Sequence, residues 1–497
     1  MGDILYSKFP DLTLSQHIFH LTNPSSSQIV QNASLKFLQT AIEEKEMAPL
    51  YRYLAHPTEG ILNMLGEGTS AQPTADSYGM TAIRRTPSNA TNLLATRRPS
   101  LTVSLPWDEA LYEKLVKANE AELEAIKKEE EEAVEKAGDT EVQSAKGKRA
   151  EFWTRVGHKD KGIAEYETLF EKTSILGTKI DIVLAIIRTG LFFGDKLLVK
   201  KTIDRASALV ESGGDWDRRN RLKAYQGLHL LTVRSYSLAA PLLLDSLSTF
   251  TSYELCNYSS LVVYAVLAGS VSLKRVDFKT KVVDAPEIKA ILGDSSDKLA
   301  ALSGALSAGP SAGDEDMPDA GTTTSATPRP AAVNLTTLGQ STAEEQDAES
   351  AIDFSSLADL VGSLYTGTYT KFFDSLGTVE TNFLSQDRYL YEHRHWFIRE
   401  MRLRGYQQLL QSYRVVGLRS MAKDFGVTID FLDKDLSNFI ATDRVPCTID
   451  RVNEVIETNR PGDKNRQYAD VVKQGDQLIT KLQKYGQSVR LRGSERG

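Results

Sequence analysis

At 497 residues the chain is long enough for about two to four domains, and its 41% hydrophobic and 25% charged residues are those of an ordinary globular protein. No apolar run approaches the ~18 residues that a membrane helix needs, and the first residues lack the basic flank and apolar core of a secretory signal, so no membrane partner or export is expected. The two cysteines, Cys256 and Cys447, are too few for a disulfide framework or a cysteine zinc site, which fits a reducing compartment, cytoplasm and nucleus. The net charge of −7 is local: between Gly293 and Ser350 ten Asp/Glu face two Lys/Arg, the rest sums to +1, and nothing argues for nucleic-acid binding in general.

Residues 1–65 read as an N-terminal helical region, with Leu12, Leu14, Ile18 and Leu21, then Leu35, Leu38 and Ile42, at helical spacing. Residues 66–105 are rich in Ser, Thr, Ala, Gly and Pro, too poor in large apolar groups to offset ordering entropy, and read as a flexible insert. Residues 106–148 hold a long charged helix with sparse apolar positions (Leu111, Leu115, Ala118, Leu123, Ile126), the pattern of a helix that bridges other elements or lies on a surface.

From 149 to 292 helices come in pairs with short turns. The segments beginning at Tyr166, Ile203 and Leu243 look like the same half of a repeat, at offsets of 37 and 40 residues, as in TPR-like helix-hairpin solenoids. Within this array lies Gly213-Gly214-Asp215-Trp216-Asp217-Arg218-Arg219-Asn220-Arg221-Leu222-Lys223. The glycines stop one helix; Asp215 is expected to cap the next, with Asp217 near its positive end. Arg218, Arg219 and Arg221 are expected to pair with acids of adjacent repeats rather than to dock an acidic partner.

Residues 293–350 form a second, acidic disordered insert. Helical patterning resumes over 351–412 with Phe354, Leu357, Leu360, Val361 and Leu364. Residues 413–461 read as helix (413–425, ending at Gly426), helix (429–440) and two short strands (447–452 and 455–458), the order of a winged helix. Over 462–497 a last helix, from about 465 to 489, presents Val471, Val472, Leu478, Ile479, Leu482 and Tyr485 on one face. The fold class expected is mostly α: a TPR-like solenoid, a winged helix and a C-terminal helix.

No constellation supports catalysis. His393-Arg394-His395 is the only His-x-His, lacks a downstream Ser-x-x-Asp, and reads as helix, where residues two apart point in different directions. A phosphate-binding Gly-x-x-x-x-Gly-Lys-Ser/Thr and a His-Glu-x-x-His are both absent, so no cofactor, metal or small-molecule substrate is expected. The second winged-helix segment carries Asp430, Asp433, Asp435 and Asp443 against Lys434, the wrong sign for phosphate. The wing is therefore expected to serve protein partners by strand addition, through Ile449, Val452 and Val455. Arg84-Arg85-Thr86 and Arg97-Arg98-Pro99-Ser100 place basic residues ahead of a hydroxyl, which makes Thr86 and Ser100 candidate phosphorylation sites.

A helical-repeat array fused to a winged helix is the layout of PCI-domain proteins. Gly213 to Lys223, Ser246 to Leu255 and Val455 to Pro461 closely resemble the non-ATPase subunit 6 family of the 26S proteasome regulatory particle lid. The resemblance covers most of residues 1–65, 107–292 and 351–490 and departs at the two inserts. It implies a non-catalytic scaffold that supports lid assembly and ATP-dependent degradation of ubiquitinated proteins. It also implies partners: other PCI lid subunits, the deubiquitinase module through a bundle of C-terminal helices (here Val471, Leu478, Ile479, Leu482 and Tyr485), a small acidic disordered lid subunit, and the ATPase ring. The nearest alternative is signalosome subunit 1, a paralogue that scaffolds a deneddylase complex; Val455 to Pro461 favours the lid. A winged-helix nucleic-acid-binding factor is a further alternative, opposed by the acidic second helix.

Overall fold

A computed structural model describes residues 5–57, 60–62, 105–136, 138–292, 354–459 and 463–494. Both expected inserts lie almost wholly outside the described residues, as do Thr86 and Ser100; Leu105, at the end of the first, is buried rather than part of a flexible run. The chain divides into two compact units, Met1–Tyr365 with Ser375–Ile398, and Thr366–Asp374 with Arg399–Gly497.

The first unit opens with α1 (Leu12–Thr22), α2 (Gln28–Glu44) and α3 (Ala48–Ala55). Asp11 and Ser27 cap α1 and α2, their side-chain oxygens accepting the N–H of Thr13 and Val30. The charged helix α4 (Glu109–Lys136) packs along α5 (Asp139–Val156) through Ile126, Phe152 and Val156. Glu129 pairs with Lys148, Glu130 with Arg149 and Glu122 with Arg155, so its acidic run is a zipper to the next helix.

The repeat array is an alternating stack: α5 with α6 (Lys159–Lys172), α7 (Leu176–Phe193) with α8 (Lys196–Glu211), and α9 (Trp216–Thr232) with α10 (Tyr236–Ser246), each pair also packing on the next. Tyr166, Ile203 and Leu243 fall on α6, α8 and α10 and are buried, as their spacing predicts. Tyr166, Leu169, Ala150, Ile182 and Ile186 form one core across three helices, because a single pair cannot cover its own apolar stripe. From Ile180 to Phe193 every residue of α7 is buried, which fits a helix that is apolar but for a few groups, its charged Asp181 and Arg188 among them. The array continues through α11 (Tyr258–Ser272), α12 (Arg275–Phe278), which runs into a π-helical turn over Lys279–Val283, and α13 (Pro286–Leu292). Helix α14 (Ser355–Thr366) follows the second insert, and α15 (Tyr369–Val379) ends in another π-helical turn.

Two local expectations change. Gly213, at φ 147°, does end α8, but the Asp215 side chain accepts no backbone N–H: it pairs with Arg218 Nη1 at 2.6 Å instead. The segment 391–410 is not helical throughout; Tyr391–His393 is a 3-10 turn, and α16 (Arg394–Ser412) begins after it.

In the second unit the expected helix at 413–425 is shorter, because Val415–Gly417 is a strand, β1; α17 (Leu418–Phe425) follows and closes at Gly426 in the left-handed conformation, φ 67°. Then come α18 (Ile429–Ala441), β2 (Cys447–Asp450), β3 (Val455–Thr458) and α19 (Asp463–Ser494), longer at both ends than its apolar pattern predicts. Tyr406, Met421, Phe425, Leu432, Leu436, Phe439 and Ile456 form the core. Three helices, α16 to α18, under a small antiparallel sheet make this a winged helix.

Candidate protein-interaction surfaces

The wing is a three-stranded antiparallel sheet of order β1-β3-β2. Its centre is Ile456, fully buried, opposite Val416 on one side and Ile449 on the other. The outer strands β1 and β2 each pair with β3 alone in the sheet, so each has an edge of the kind that accepts a further strand.

The three residues predicted to carry strand addition separate here. Ile449 lies on edge strand β2, half-buried against the winged-helix core. Val452 is at the tip and 91% exposed. Val455 is on the central strand, opposite both Gly417 and Asp450, so its backbone has no open side and it cannot act in edge pairing. The sequence reading missed β1, where Val415 is exposed, as is Tyr413 just before it. The tip has a defined shape: Asp450 accepts the backbone N–H of Val452 at 2.9 Å and of Asn453 at 3.3 Å, and the Asn453 side-chain amide at 2.7 Å. These hydrogen bonds, that of the Asn453 side chain foremost, hold the Asp450 carboxyl below its ordinary range.

On α18, Asp433 pairs with Arg451 at 2.7 Å and Asp435 with Arg402 at 3.5 Å, while Asp430 is exposed. The acids expected to oppose phosphate are thus partly spent on internal ion pairs, and the exposed start of the helix remains acidic.

Helix α19 carries the second surface. Val471, Leu478, Ile479, Leu482 and Tyr485 are all more than half exposed, as are Tyr468 and Val489, which the sequence reading left out. Positions 468, 471, 475, 478, 482, 485 and 489 alternate in steps of three and four, the spacing of a coiled-coil seam. Gly475 occupies one of these places with open space around its Cα. Each such apolar side chain gains roughly 1.5–3 kcal/mol when fully buried, so a stripe of this length in water is a strong drive to associate.

The remaining candidates for chemistry are engaged singly. His393 Nε2 is 3.0 Å from the Thr232 carbonyl oxygen, and the exposed His395 stands 3.8 Å from Glu380. Burial pushes the Cys256 thiol up to about 12 and Cys447 up to about 11, far from a reactive thiolate. Among the described residues no helix is long and apolar enough to cross a membrane.

A solenoid of helix pairs, a winged helix and a C-terminal helix with an exposed seam define a PCI-type interaction protein, and the PCI domain model matches residues 379–460. Two further models match: 26S proteasome subunit RPN7 over residues 108–281, and the RPN7/PSMD6 C-terminal helix over residues 467–489. The chain is 36% identical to the 26S proteasome regulatory subunit rpn7 of Schizosaccharomyces pombe, over 97% of both chains. It is 35% identical to RPN7 of Saccharomyces cerevisiae, over 99% of this chain and 96% of the other. With the 26S proteasome non-ATPase regulatory subunit 6 of Caenorhabditis elegans the identity is 32%, over 97% and 93%. The chain belongs to the RPN7/PSMD6 family of 26S proteasome regulatory subunits.

Proposed function

We propose that this chain is a non-catalytic scaffold of the proteasome regulatory particle lid. It supports assembly of the lid, and through it ATP-dependent degradation of ubiquitinated proteins, in cytoplasm and nucleus. The observation that carries the reading is the exposed seam of α19, Val471 to Tyr485, on a helix that matches the family's own C-terminal helix model. In this reading the seam enters a helical bundle with other lid subunits, the deubiquitinase module among them, and a wing edge pairs with a neighbouring PCI subunit. The repeat array faces the ATPase ring, and a small acidic disordered subunit joins this chain to its neighbour. Its relatives are named as regulatory subunits, which supports a role without chemistry of its own.

The test is affinity purification of the tagged chain from its own cells with mass spectrometry of what comes with it. Lid subunits, ATPases and proteolytic core are the expected set. An eight-subunit complex without ATPases would overturn the reading in favour of a signalosome scaffold.

A further inference from the structure

The N-terminal stretch from Leu5 to Asp11 has no regular secondary structure, yet it is seated on the repeat array. Tyr6 takes the left-handed backbone conformation, φ 60°, and its ring packs edge-on against Tyr166, 5.8 Å between centroids. Beneath the ring, inside helix α5, is Gly147. A Cβ built there would lie 2.7 and 2.9 Å from two carbons of the Tyr6 ring and closer still to its hydroxyl, and these are its three nearest neighbours. Glycine weakens a helix interior, and what this one makes room for is Tyr6.

The backbone of the stretch is also held. Arg188, on α7 and wholly buried, donates from Nη2 to the Tyr6 carbonyl and, at 3.4 Å, to that of Phe9. Its Nη1 donates to Tyr225 on α9 at 2.8 Å, so the guanidinium is fixed by the array and presents its other edge to the strap. A site that grips carbonyls, which every peptide has, and fits one aromatic ring combines main-chain hydrogen bonds with a side-chain seat, the two elements by which peptides are recognised, here on a segment that turns at Tyr6.

We propose that this groove is a peptide-binding site of the repeat array, filled in cis by residues 5–11, and that its ligand class is a turned segment with an aromatic ring over Gly147 and carbonyls on Arg188. The site is separate from the wing edge and the α19 seam.

Arg188 also supports Tyr225, so the test leaves it intact. In the full chain, Gly147→Ala should eject the strap while giving α5 a better helix former. Trypsin should then cut after the exposed Lys8 at least about tenfold faster, while cutting elsewhere in the chain stays as slow as before. Unchanged cutting would overturn the seat. A labelled peptide with the sequence of residues 5–11 should bind the full chain carrying Tyr6→Ala and Phe9→Ala at least about tenfold more tightly than the unaltered chain. Adding Gly147→Ala should abolish that binding. No binding to the double variant would make the strap a fixed part of the fold rather than an occupant, and binding indifferent to Gly147→Ala would place the peptide elsewhere; either sinks the proposal.

Discussion

Arg218 grips Asp181 with one edge of its guanidinium: Nε stands 2.9 Å from Oδ1 and Nη2 2.8 Å from Oδ2. Asp181 is on α7 and its side chain is 1% exposed, so the fork ties α9 to the first helix of the preceding pair through a carboxylate that only Arg218, itself 20% exposed, connects to the surface. Three residues on, the buried Arg221 reaches the other way, to Glu254 at 2.5 Å in the segment before α11, and Tyr225 donates to the same carboxylate at 2.9 Å. Asp217 accepts from Thr251 at 2.9 Å. The run from Gly213 to Lys223 is thus a stitch across three layers of the array, which is why its arginines face inward; Arg219 alone of the three is exposed.

Removing one half of that fork should be costly. Arg218→Ala would leave Asp181 buried without its partner, for which the expected loss is about 2–3 kcal/mol, below the ~3–5 of a wholly buried pair because the guanidinium is partly solvated. Arg218→Lys should recover less than half, since an ammonium cannot span both oxygens. Urea unfolding of the purified chain measures both, and equal stability of all three forms would refute the stitch.

Asp215 makes the opposite case. It stands at the cap position of α9 but accepts no backbone N–H, and its carboxylate, 71% exposed, pairs with Arg218. Asp215→Ala should cost about 0.5 kcal/mol or less, not the ~1 of a lost cap. A larger fall in the urea midpoint would mean that the carboxylate caps the helix in solution.

The N-terminal hairpin should respond to acid. His17 and His20 are packed between α1 and α2, with Ser34 and Ser26 on their Nδ1 atoms. Burial lowers both, and it takes His20 to about 4, with the neighbouring His17 adding to the effect; Asp11 opposes it at His17. The folded state therefore favours the neutral rings. The contribution of His20 is complete above the unfolded value of ~6.5 and is lost as pH falls from there toward 4, at ~1.4 kcal/mol for each unit of depression; His17, more exposed, acts in the same direction and less strongly. The protection of α1 and α2 against hydrogen exchange, corrected for the intrinsic pH dependence of amide exchange, should fall between pH 6.5 and 5 in the natural chain and less so with His20→Gln. A pH-independent rate of opening would exclude the histidines as the cause.

Much of this was legible in the residues, and what escaped was non-local. Tyr166, Ile203 and Leu243 betray the repeat because each is the apolar anchor of a helix whose neighbours follow in sequence. Gly426 marks a helix end by its own backbone requirement. Strand β1 was hidden because three residues, Val415 to Gly417, carry no period of their own; they become a strand only by pairing with Val455 to Glu457. Val455 was misjudged for the same reason: its pattern says strand, but only the sheet order says that both its sides are occupied. Asp181 and Tyr6 gave no signal either, since the partner of one is 37 residues away and the seat of the other is a glycine in a distant helix.

The α19 seam separates association from folding, and so does its prediction. Leu478 and Leu482 are about 60% exposed, and a charged residue there meets water in the isolated chain. Leu478→Asp with Leu482→Asp should leave the unfolding free energy of the chain, from urea titration, within about 1 kcal/mol of the natural one. In the bundle proposed above, the same positions would be covered by other helices, and an unpaired carboxylate there would be buried at a cost of several kcal/mol. The variant should therefore fold normally and fail to co-purify with the other regulatory-particle subunits, whereas Val452→Asp at the wing tip should weaken recovery without abolishing it. Normal incorporation of the Leu478→Asp, Leu482→Asp chain would remove the seam from the assembly and leave the wing edges as the remaining route.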